Sequence, residues 1–279
     1  MAQKIQGQWQ LNEVPLESEA WPNRGLQFGE SLFETMLAMD GRLPLWERHW
    51  ARLRQGCERL EIPCPPKATL REDIRRMCPP QGRWVIKLIL TLAGGDRGYR
   101  RPSEPESQCY LGCFPAPDTS GQLLQLQLCE HRLGRQAALA GLKHSNRLDQ
   151  VLARREVDQA GRDEGLLRDE DGRIIEAVAA NIFLVGQGMV LTPELSHSGV
   201  AGVMRAEVLD SCRKQGIDAR VTELRLRDIL LADEVFLSNS LNGIRPVVGL
   251  HGHDIQAQWP PGRITHQLQT VLKEKGVTQ

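Results

Sequence analysis

The 279-residue sequence has no excess of charge of either sign and no long apolar segment. Its 35 Lys and Arg residues balance 35 Asp and Glu residues, so no net field attracts nucleic acid or an anionic membrane. No run of eighteen or more apolar residues occurs, and the N-terminus lacks the apolar region of a secretion signal. These absences predict a cytoplasmic protein with neither a nucleic-acid nor a membrane partner.

The cysteines form no recognisable framework. There are seven, an odd number, and they are scattered without any CxxC pair. This pattern argues against a set of disulfides and against a zinc site. We therefore expect buried, reduced thiols and no bound metal.

No repeat or low-complexity tract interrupts the chain, and strand-like and helix-like segments alternate along it. This alternation predicts an α/β or α+β fold. The length allows two domains or one large α/β domain. Because residues 114–122 (FPAPDTSGQ) have the composition of a linker, we predict a smaller N-terminal α/β domain at 1–115 and a larger C-terminal α/β domain at 122–279.

Apolar spacing indicates where the individual elements lie. Spacings of three and four residues predict helices, whereas alternation and runs of branched residues predict strands. The helices are predicted at residues 44–60, 68–78, 146–161 and 203–216. The strands are predicted at residues 83–92, 108–114, 123–129, 174–185, 189–192, 221–226 and 234–238.

Lys143 lies in the segment GLKHSNRLDQV (141–151), immediately before a predicted helix. Ser145 or Asn146 can cap that helix, which would leave the lysine close to unpaired backbone N–H groups. Positive potential favours the neutral amine, which is a nucleophile for carbonyl carbons. The alternative interpretation is an ordinary solvated lysine.

Three further segments contain polar groups suited to a charged ligand. Glu176 lies in the apolar stretch 172–185, five residues before Asn181, and is either a solvent-facing acid or a buried carboxylate that needs a cation. The turn before residues 203–209 offers helix N-terminal amides that suit a phosphate, although many helices begin in this way. A polar stretch at 238–242 is either a simple turn or a set of donors for the same phosphate, which the planar fork of Arg52 would also suit.

In this order the motifs resemble the fold-type IV pyridoxal-phosphate enzymes, a family that includes branched-chain aminotransferases, D-amino-acid aminotransferases and 4-amino-4-deoxychorismate lyases. The resemblance covers most of the chain. It rests on QFGESLFETM, the HWARL around Arg52, GLKHSNRLDQV, E-A-x-A-A-N-I-F, GVMR and SNSLNGIRPV. It implies a two-domain fold of the D-amino-acid aminotransferase type, pyridoxal 5'-phosphate held between the domains, and a homodimer.

The resemblance also implies a role for each matching residue. Lys143 would bond covalently to the cofactor aldehyde, and Glu176 would pair with the pyridine nitrogen. Asn181 would contact the residues that bind the cofactor. The phosphate would be bound by Arg52, by two backbone amides and by the polar turn, that is, by Val203, Met204, Asn239 and Ser240.

Within the family, GGDRGYRRP (94–102) and the sequence around Lys143 resemble the lyases. Leu148 stands where the transaminases commonly have a tyrosine, whereas Ser145 replaces an expected apolar residue. The implied activity is elimination of pyruvate from 4-amino-4-deoxychorismate to give 4-aminobenzoate, a folate precursor. Three arginines of the 94–102 loop either meet a substrate carboxylate or are solvated: Arg97, Arg100 and Arg101.

Three other functions remain open from the sequence. The first is a transaminase for branched-chain or D-amino acids, which needs the same Lys143 and Glu176. The second is a cofactor-binding or interaction protein without catalysis. The third is nucleic-acid binding through the basic helix at 44–60, which is disfavoured because the aromatic residues of that helix belong to its apolar stripe.

Overall fold

The computed structural model describes residues 8–11, 14–15, 23–93, 98–119 and 121–278. The chain divides into two compact units. Unit 1 comprises Met1–Asp118 and Leu142–Asn146, and unit 2 comprises Thr119–Gly141 and Arg147–Gln279. Each unit combines a sheet with helices, which confirms the predicted mixed α/β class. The segment that carries Lys143 belongs to unit 1, although its neighbours in sequence belong to unit 2.

Unit 1 is built on a five-stranded antiparallel sheet with the strand order β2-β1-β5-β4-β3. Its strands are β1 (Gln8–Leu11), β2 (Val14–Pro15), β3 (Ser31–Met39), β4 (Arg83–Leu92) and β5 (Ser107–Pro115). Its helices are α1 (Arg24–Phe28), α2 (Trp46–Leu60) and α3 (Lys67–Met77).

The side chains of β4 point alternately to the two faces of this sheet. Ile86, Leu88 and Leu90 are buried and belong to a core that also contains residues of α2 and α3. Lys87 and Ile89 lie on the opposite face and are only half-buried. Because side chains alternate across a strand, one face of the sheet forms the core and the other is left to carry polar groups.

Unit 2 contains a ten-stranded mixed sheet with the order β11-β10-β9-β13-β14-β6-β7-β8-β12, and β15 pairs with β14. Its first strands are β6 (Leu124–Leu133), β7 (Glu164–Asp169), β8 (Arg173–Ala177), β9 (Asn181–Gly186) and β10 (Met189–Pro193). The later strands are β11 (Ala219–Thr222), β12 (Leu224–Arg225), β13 (Glu234–Asn239), β14 (Gly243–His251) and β15 (Gln256–Gln258). The helices are α4 (Leu148–Gln159), α5 (Val203–Lys214), α6 (Leu226–Leu230) and α7 (Arg263–Glu274).

Two predicted strands are each divided in the structure. The stretch 174–185 forms β8 and β9, which are joined by a turn that an Ala177–Ala180 bridge closes. The stretch 221–226 forms the end of β11, then β12, and its last residue already begins α6. Both stretches are apolar enough for one strand, but a uniform apolar run does not reveal where the chain reverses.

The predicted capping of α4 by Ser145 or Asn146 is wrong. The N-cap is Arg147, and no side chain caps the helix. Ser145 and Asn146 instead bond to Ser31 and Gly29 of unit 1. The spacing of Leu148, Val151 and Leu152 predicts a shared apolar face on this helix, but all three residues are exposed in the chain, and the buried residues of α4 are Ala153 and Val157. None of the helices in the described ranges has the length and apolarity needed to cross a membrane.

Helix α7 begins on a buried carboxylate from another element. Glu234 accepts hydrogen bonds from the backbone N–H groups of Ile264 (3.0 Å) and Thr265 (2.8 Å) and from the Thr265 hydroxyl (2.7 Å). The N-cap residue, Gly262, has no side chain, and a Cβ there would lie 1.7 Å from the Glu234 carboxyl carbon. Glu234 therefore performs the capping that a local Ser or Asp usually provides.

Replacing Glu234 with alanine should destabilise unit 2 by about 2–4 kcal/mol, because two buried amides and a buried hydroxyl lose their acceptor. The decrease should appear as a lower midpoint of urea unfolding. Glu274 is exposed at the other end of α7, and Glu274→Ala is the matched control that should change the midpoint little. Equal effects of the two substitutions would contradict this capping role.

Candidate active site

The backbone of Lys143 is fixed to strand β3. The Phe33 N–H donates to the Lys143 carbonyl oxygen (2.9 Å), and the Ser145 N–H donates to the Ser31 carbonyl oxygen (3.1 Å). A bridge between Leu32 and His144 completes this short antiparallel pairing. The Lys143 Nζ atom lies 4.3 Å from the centre of the Phe33 ring. Strand pairing therefore positions this lysine within unit 1.

A second amine, which the sequence analysis did not single out, lies against the same aromatic ring. The Lys87 Nζ atom is 3.8 Å from the Phe33 ring centre and 3.5 Å from the Thr35 hydroxyl. Burial lowers the pKa of Lys87 to about 8, which the negative charge of Glu34 only partly opposes. The sequence feature that could have indicated this second amine is a lysine inside the apolar strand RWVIKLILTL.

Glu34 on β3 forms a hydrogen-bonded triad with His49 and Arg52 of α2, in which Glu34 and His49 are buried and Arg52 is half-buried. Arg52 Nε donates to Glu34 Oε1 (2.8 Å), and His49 Nδ1 lies 2.6 Å from Glu34 Oε2. Although burial alone would raise it, Arg52 and then His49 hold the pKa of Glu34 at about 2. Burial lowers the pKa of His49. The position of Glu34 between Leu32 and Met36 on the apolar face of β3 was the signal for such a pairing.

The hydrogen bonds of Arg52 within this triad affect the phosphate-binding role predicted for it. Two of its guanidinium nitrogens, Nε and one terminal nitrogen, bond to the two carboxylate oxygens of Glu34. This geometry matches the planar fork of arginine and holds the guanidinium in one orientation. Phosphate binding by Arg52 stays a prediction, and any such contact would be made by a side chain that Glu34 has already oriented.

Replacing Glu34 with glutamine should remove a pH-dependent part of the stability. A pKa lowered from 4.5 to about 2 corresponds to about 3 kcal/mol. Since the folded pKa is depressed, this contribution is present above pH 4.5 and is lost as the pH falls towards 2. Urea unfolding of Glu34→Gln should thus depend less on pH below 5 than that of the native chain. Glu58→Gln, on the exposed face of α2, should leave the pH dependence unchanged.

In unit 2 the carboxylate of Glu176 is buried on β8, so the solvent-facing alternative is wrong. Glu176 Oε2 accepts from the Val200 N–H (2.8 Å), and Oε1 accepts from Gln150 Nε2 (3.4 Å). The other amide atom of Gln150, Oε1, is buried and has no hydrogen-bond partner among the described residues. These two donors hold the carboxylate in a fixed position.

The glycine-containing loop 199–202 packs directly on Glu176 and Asn181. Asn181 Nδ2 donates to the Val200 carbonyl oxygen (2.9 Å). A Cβ on Gly199 would lie 2.7 Å from the Ile175 side chain, and a Cβ on Gly202 would lie 1.9 Å from Asn181 Oδ1. The motifs at 172–185 and 199–209, which are separate in the sequence, are thus in contact within unit 2.

This loop leads into helix α5. Gly202 is the N-cap and no side chain caps the helix. The side chains of Val203 and Met204 are buried, so the polar groups that they contribute at the helix start are their backbone amides. An uncapped helix N-terminus is a suitable place for an anion.

The polar turn after β13 is organised by Asn239. Its Oδ1 atom accepts from the N–H groups of Leu241 (3.1 Å) and Asn242 (2.8 Å), and its Nδ2 atom donates to the Ala179 carbonyl oxygen (3.3 Å). Asn239 therefore shapes the turn in which Ser240 lies. The neighbouring Ser238 hydroxyl is buried without a hydrogen-bond partner within the described ranges.

The arginines of the 94–102 loop have different surroundings. Arg97 lies outside the described residues. Arg101 pairs with Glu30 and Glu61, so its guanidinium serves an ion-pair network of unit 1. The side chain of Arg100 is exposed, while its carbonyl oxygen accepts from Arg24 (3.0 Å).

Comparisons with known proteins agree with this assembly of motifs. The family model for amino-transferase class IV matches residues 31–250. An aminodeoxychorismate lyase of Vibrio harveyi is 35% identical over 264 residues, which is 93% of this chain and 97% of that protein. The crystal structure of 4-amino-4-deoxychorismate lyase from Pseudomonas aeruginosa is 40% identical, with a TM-score of 0.88, covering 95% of this chain and 98% of that chain. A D-alanine aminotransferase of Listeria monocytogenes is 23% identical over 91% of this chain and 89% of that protein.

Proposed function

The chain belongs to the class IV aminotransferase family, and from this we propose that it is a pyridoxal-phosphate-dependent 4-amino-4-deoxychorismate lyase. The proposed reaction eliminates pyruvate and gives 4-aminobenzoate. The observation that carries the proposal is identity of 35% and 40% to lyases over nearly their full lengths, against 23% to a D-alanine aminotransferase. Leu148, where transaminases of the family commonly have tyrosine, also favours the lyase.

The residues of unit 2 suit the cofactor that this family uses. When bound, pyridoxal 5'-phosphate supplies an aldehyde for the substrate amine and a ring that accepts the electrons of a broken C–H bond. A buried carboxylate at Glu176 fits a protonated ring nitrogen, and the uncapped start of α5 fits a phosphate. The hydroxyl of Ser238, which has no hydrogen-bond partner among the described residues, adds a donor next to Asn239.

Lys143 is proposed to carry the chemistry. Its Nζ atom would bond to the cofactor aldehyde in the resting enzyme. Once the substrate amine has displaced it, the free Nζ atom would remove the proton from C4 of the substrate. Loss of that proton and of the enolpyruvyl group as pyruvate leaves an aromatic ring, which makes the overall step favourable. Nearby, the amine of Lys87, with a pKa lowered to about 8, is a candidate to orient a substrate carboxylate.

The other residues are proposed to hold and orient. Glu176, which Val200 and Gln150 fix in place, would keep the ring nitrogen protonated. Asn181 would act indirectly by holding the 199–202 loop. Binding of the phosphate is assigned to the remaining residues, namely the backbone amides of Val203 and Met204, Ser240, the Asn239 that shapes its turn, and Arg52.

Replacing Gly202 with alanine should weaken cofactor binding about tenfold or more. A Cβ at this position would lie 1.9 Å from Asn181 Oδ1, so the loop must shift and move the first amides of α5. Titration of the apoprotein with pyridoxal phosphate, followed by absorbance, measures the change. Gly216 follows the other end of α5 and has open space around its Cβ position, but its φ of +67° disfavours alanine, so Gly216→Asn is the suitable control. Unaltered affinity in Gly202→Ala would contradict the assignment of the phosphate to α5.

A direct assay separates the lyase from the transaminase alternative. The purified protein, loaded with cofactor, is given 4-amino-4-deoxychorismate, and 4-aminobenzoate and pyruvate are measured. In parallel, a series of branched-chain and D-amino acids is offered with 2-oxoglutarate. We expect 4-aminobenzoate and pyruvate in equal amounts. Transamination without either product would overturn the proposed lyase.

The remaining parts of the proposal follow from family membership. We propose that the enzyme is a homodimer, that it works in the cytoplasm, and that its product enters folate synthesis. Light scattering coupled to size-exclusion chromatography tests the dimer, since a monomeric mass at working concentration would contradict it.

A further inference from the structure

The junction between α1 and β3 holds the segment of Lys143 through its backbone. The Ser31 carbonyl oxygen accepts from the Ser145 N–H (3.1 Å), and the Gly29 carbonyl oxygen accepts from Asn146 Nδ2 (3.2 Å). Gly29 has a φ of +67°, and a Cβ there would lie 2.1 Å from Asn146 Oδ1, so this position requires glycine. The junction and the segment of Lys143 are therefore packed together within unit 1.

The side chain of Glu30, in the same junction, joins two arginines. Its carboxylate oxygens pair separately, Oε2 with Arg24 and Oε1 with Arg101, whose Nε atom is 2.7 Å away. Arg24 is only 3% exposed. A buried guanidinium is costly without a counter-ion, so the buried position of Arg24 depends on Glu30.

Arg24 also holds the backbone of the loop that carries Arg101. Its two terminal nitrogens, Nη1 and Nη2, donate to the carbonyl oxygens of Arg100 and Tyr99 respectively, at 3.0 Å each. Arg101 Nη2 in turn donates to the carbonyl oxygen of Leu60, the last residue of α2 (2.7 Å). Three consecutive residues of this loop are thus fixed, whereas the side chains of Tyr99 and Arg100 are exposed.

We infer that Arg24 and Glu30 are positioning residues for substrate binding. They fix loop 98–101 to the junction that also holds the segment of Lys143, so the loop is ordered before the substrate binds. The exposed guanidinium on this loop suits a carboxylate, and the proposed substrate carries carboxylates. This inference rests on the proposed function, because it concerns the substrate of the same site.

The effect of these two residues should appear in KM more than in kcat. If Arg24 and Glu30 did not hold the loop, it would be disordered in the free protein, and ordering it would use part of the binding free energy of the substrate. The apparent affinity would then fall with the fraction of molecules in which the loop is ordered. Neither residue is assigned a proton transfer, so the chemical step itself should change little.

The experiment uses the complete protein loaded with cofactor and compares the native chain with Glu30→Gln. The rate of trypsin cleavage after Arg100, followed by mass spectrometry, measures how often the loop opens. We expect Glu30→Gln to increase this rate about tenfold or more and to raise KM for 4-amino-4-deoxychorismate about tenfold, with kcat within about threefold of the native value. Glu47→Gln, which removes an exposed ion pair with Lys67 elsewhere in unit 1, should change none of these quantities.

A second variant keeps the test valid if Glu30→Gln folds poorly. Arg101→Gln removes one of the two ion pairs of Glu30 but leaves the buried Arg24 paired. The peptide bond after Arg100 is still a trypsin site in this variant. Its cleavage rate and KM should both rise, by about threefold, because half of the attachment to Glu30 remains.

Two results would overturn the inference: cleavage after Arg100 that neither substitution accelerates, or accelerated cleavage with an unchanged KM. Failure of the proposed lyase is distinguishable from both, because cleavage is measured without substrate and the native chain would then give no 4-aminobenzoate. In that case KM is measured for the amino acid that the transaminase assay identifies, and the same increase is expected.

Discussion

Replacing Lys143 with alanine is expected to reduce formation of 4-aminobenzoate about 10⁴-fold or more. The variant loses both the amine that bonds to the cofactor aldehyde and the base that removes the C4 proton. Loss of the covalent bond should also remove the yellow absorbance of the protein. Absorbance spectra together with steady-state rates measure both effects. A yellow, active Lys143→Ala protein would refute the assignment.

Two lysines lie against the Phe33 ring, so the result for Lys143 needs a matched comparison. Lys87→Gln should still form the covalent bond, because Lys87 is assigned to the substrate. Treatment with borohydride should therefore fix the cofactor on the peptide that contains Lys143 in both the native protein and Lys87→Gln. Labelling of Lys87 in the native protein would show that Lys87, and not Lys143, bonds to the cofactor. The exposed Lys273→Ala variant should retain full activity.

Replacing Glu176 with glutamine is expected to lower kcat roughly 10²- to 10³-fold, while the covalent bond at Lys143 still forms. Glutamine retains the shape and accepts a hydrogen bond from Val200, but it removes the negative charge proposed to keep the ring nitrogen protonated. The electron-accepting ability of the ring then falls. A kcat near that of the native protein would exclude this role of the carboxylate.

The same sheet offers a control for this substitution. Glu164, on β7, is as buried as Glu176, since each residue is 4% exposed. Burial raises the pKa of Glu164, so its protonated form is favoured more than in an exposed acid. Glu164→Gln should therefore leave kcat unchanged while testing whether a neutral side chain in this sheet disturbs the fold. Comparable losses of kcat in the two variants would point to a structural effect.

Much of the secondary structure was predictable from local pattern. The strand predicted at 83–92 has the same bounds as β4, and the helix predicted at 203–216 begins where α5 begins. The first segment is a run rich in branched residues, and the second begins directly after a glycine. The prediction was wrong where one apolar run contains a turn, as between β8 and β9, because periodicity alone does not mark a reversal.

The candidate site was predicted as single residues and not as contacts. Glu34 was missed as the partner of Arg52, since the two are eighteen positions apart and lie on different elements. Lys87 was missed because an isolated lysine in an apolar strand is commonly solvated, and only the pairing of β3 with β4 brings it to the Phe33 ring. Sequence spacing carries no information on which strands become neighbours.

By itself, the sequence determined the mixed α/β class, most of the elements and the family to which the chain belongs, because these depend on local periodicity and on ordered motifs. Only the tertiary structure decided that the segment of Lys143 pairs with β3 and that loop 199–202 packs on Glu176 and Asn181. It also decided that the apolar face of α4 is not covered in the chain. These are long-range pairings, and their free energy depends on which surfaces meet, which a local pattern does not specify.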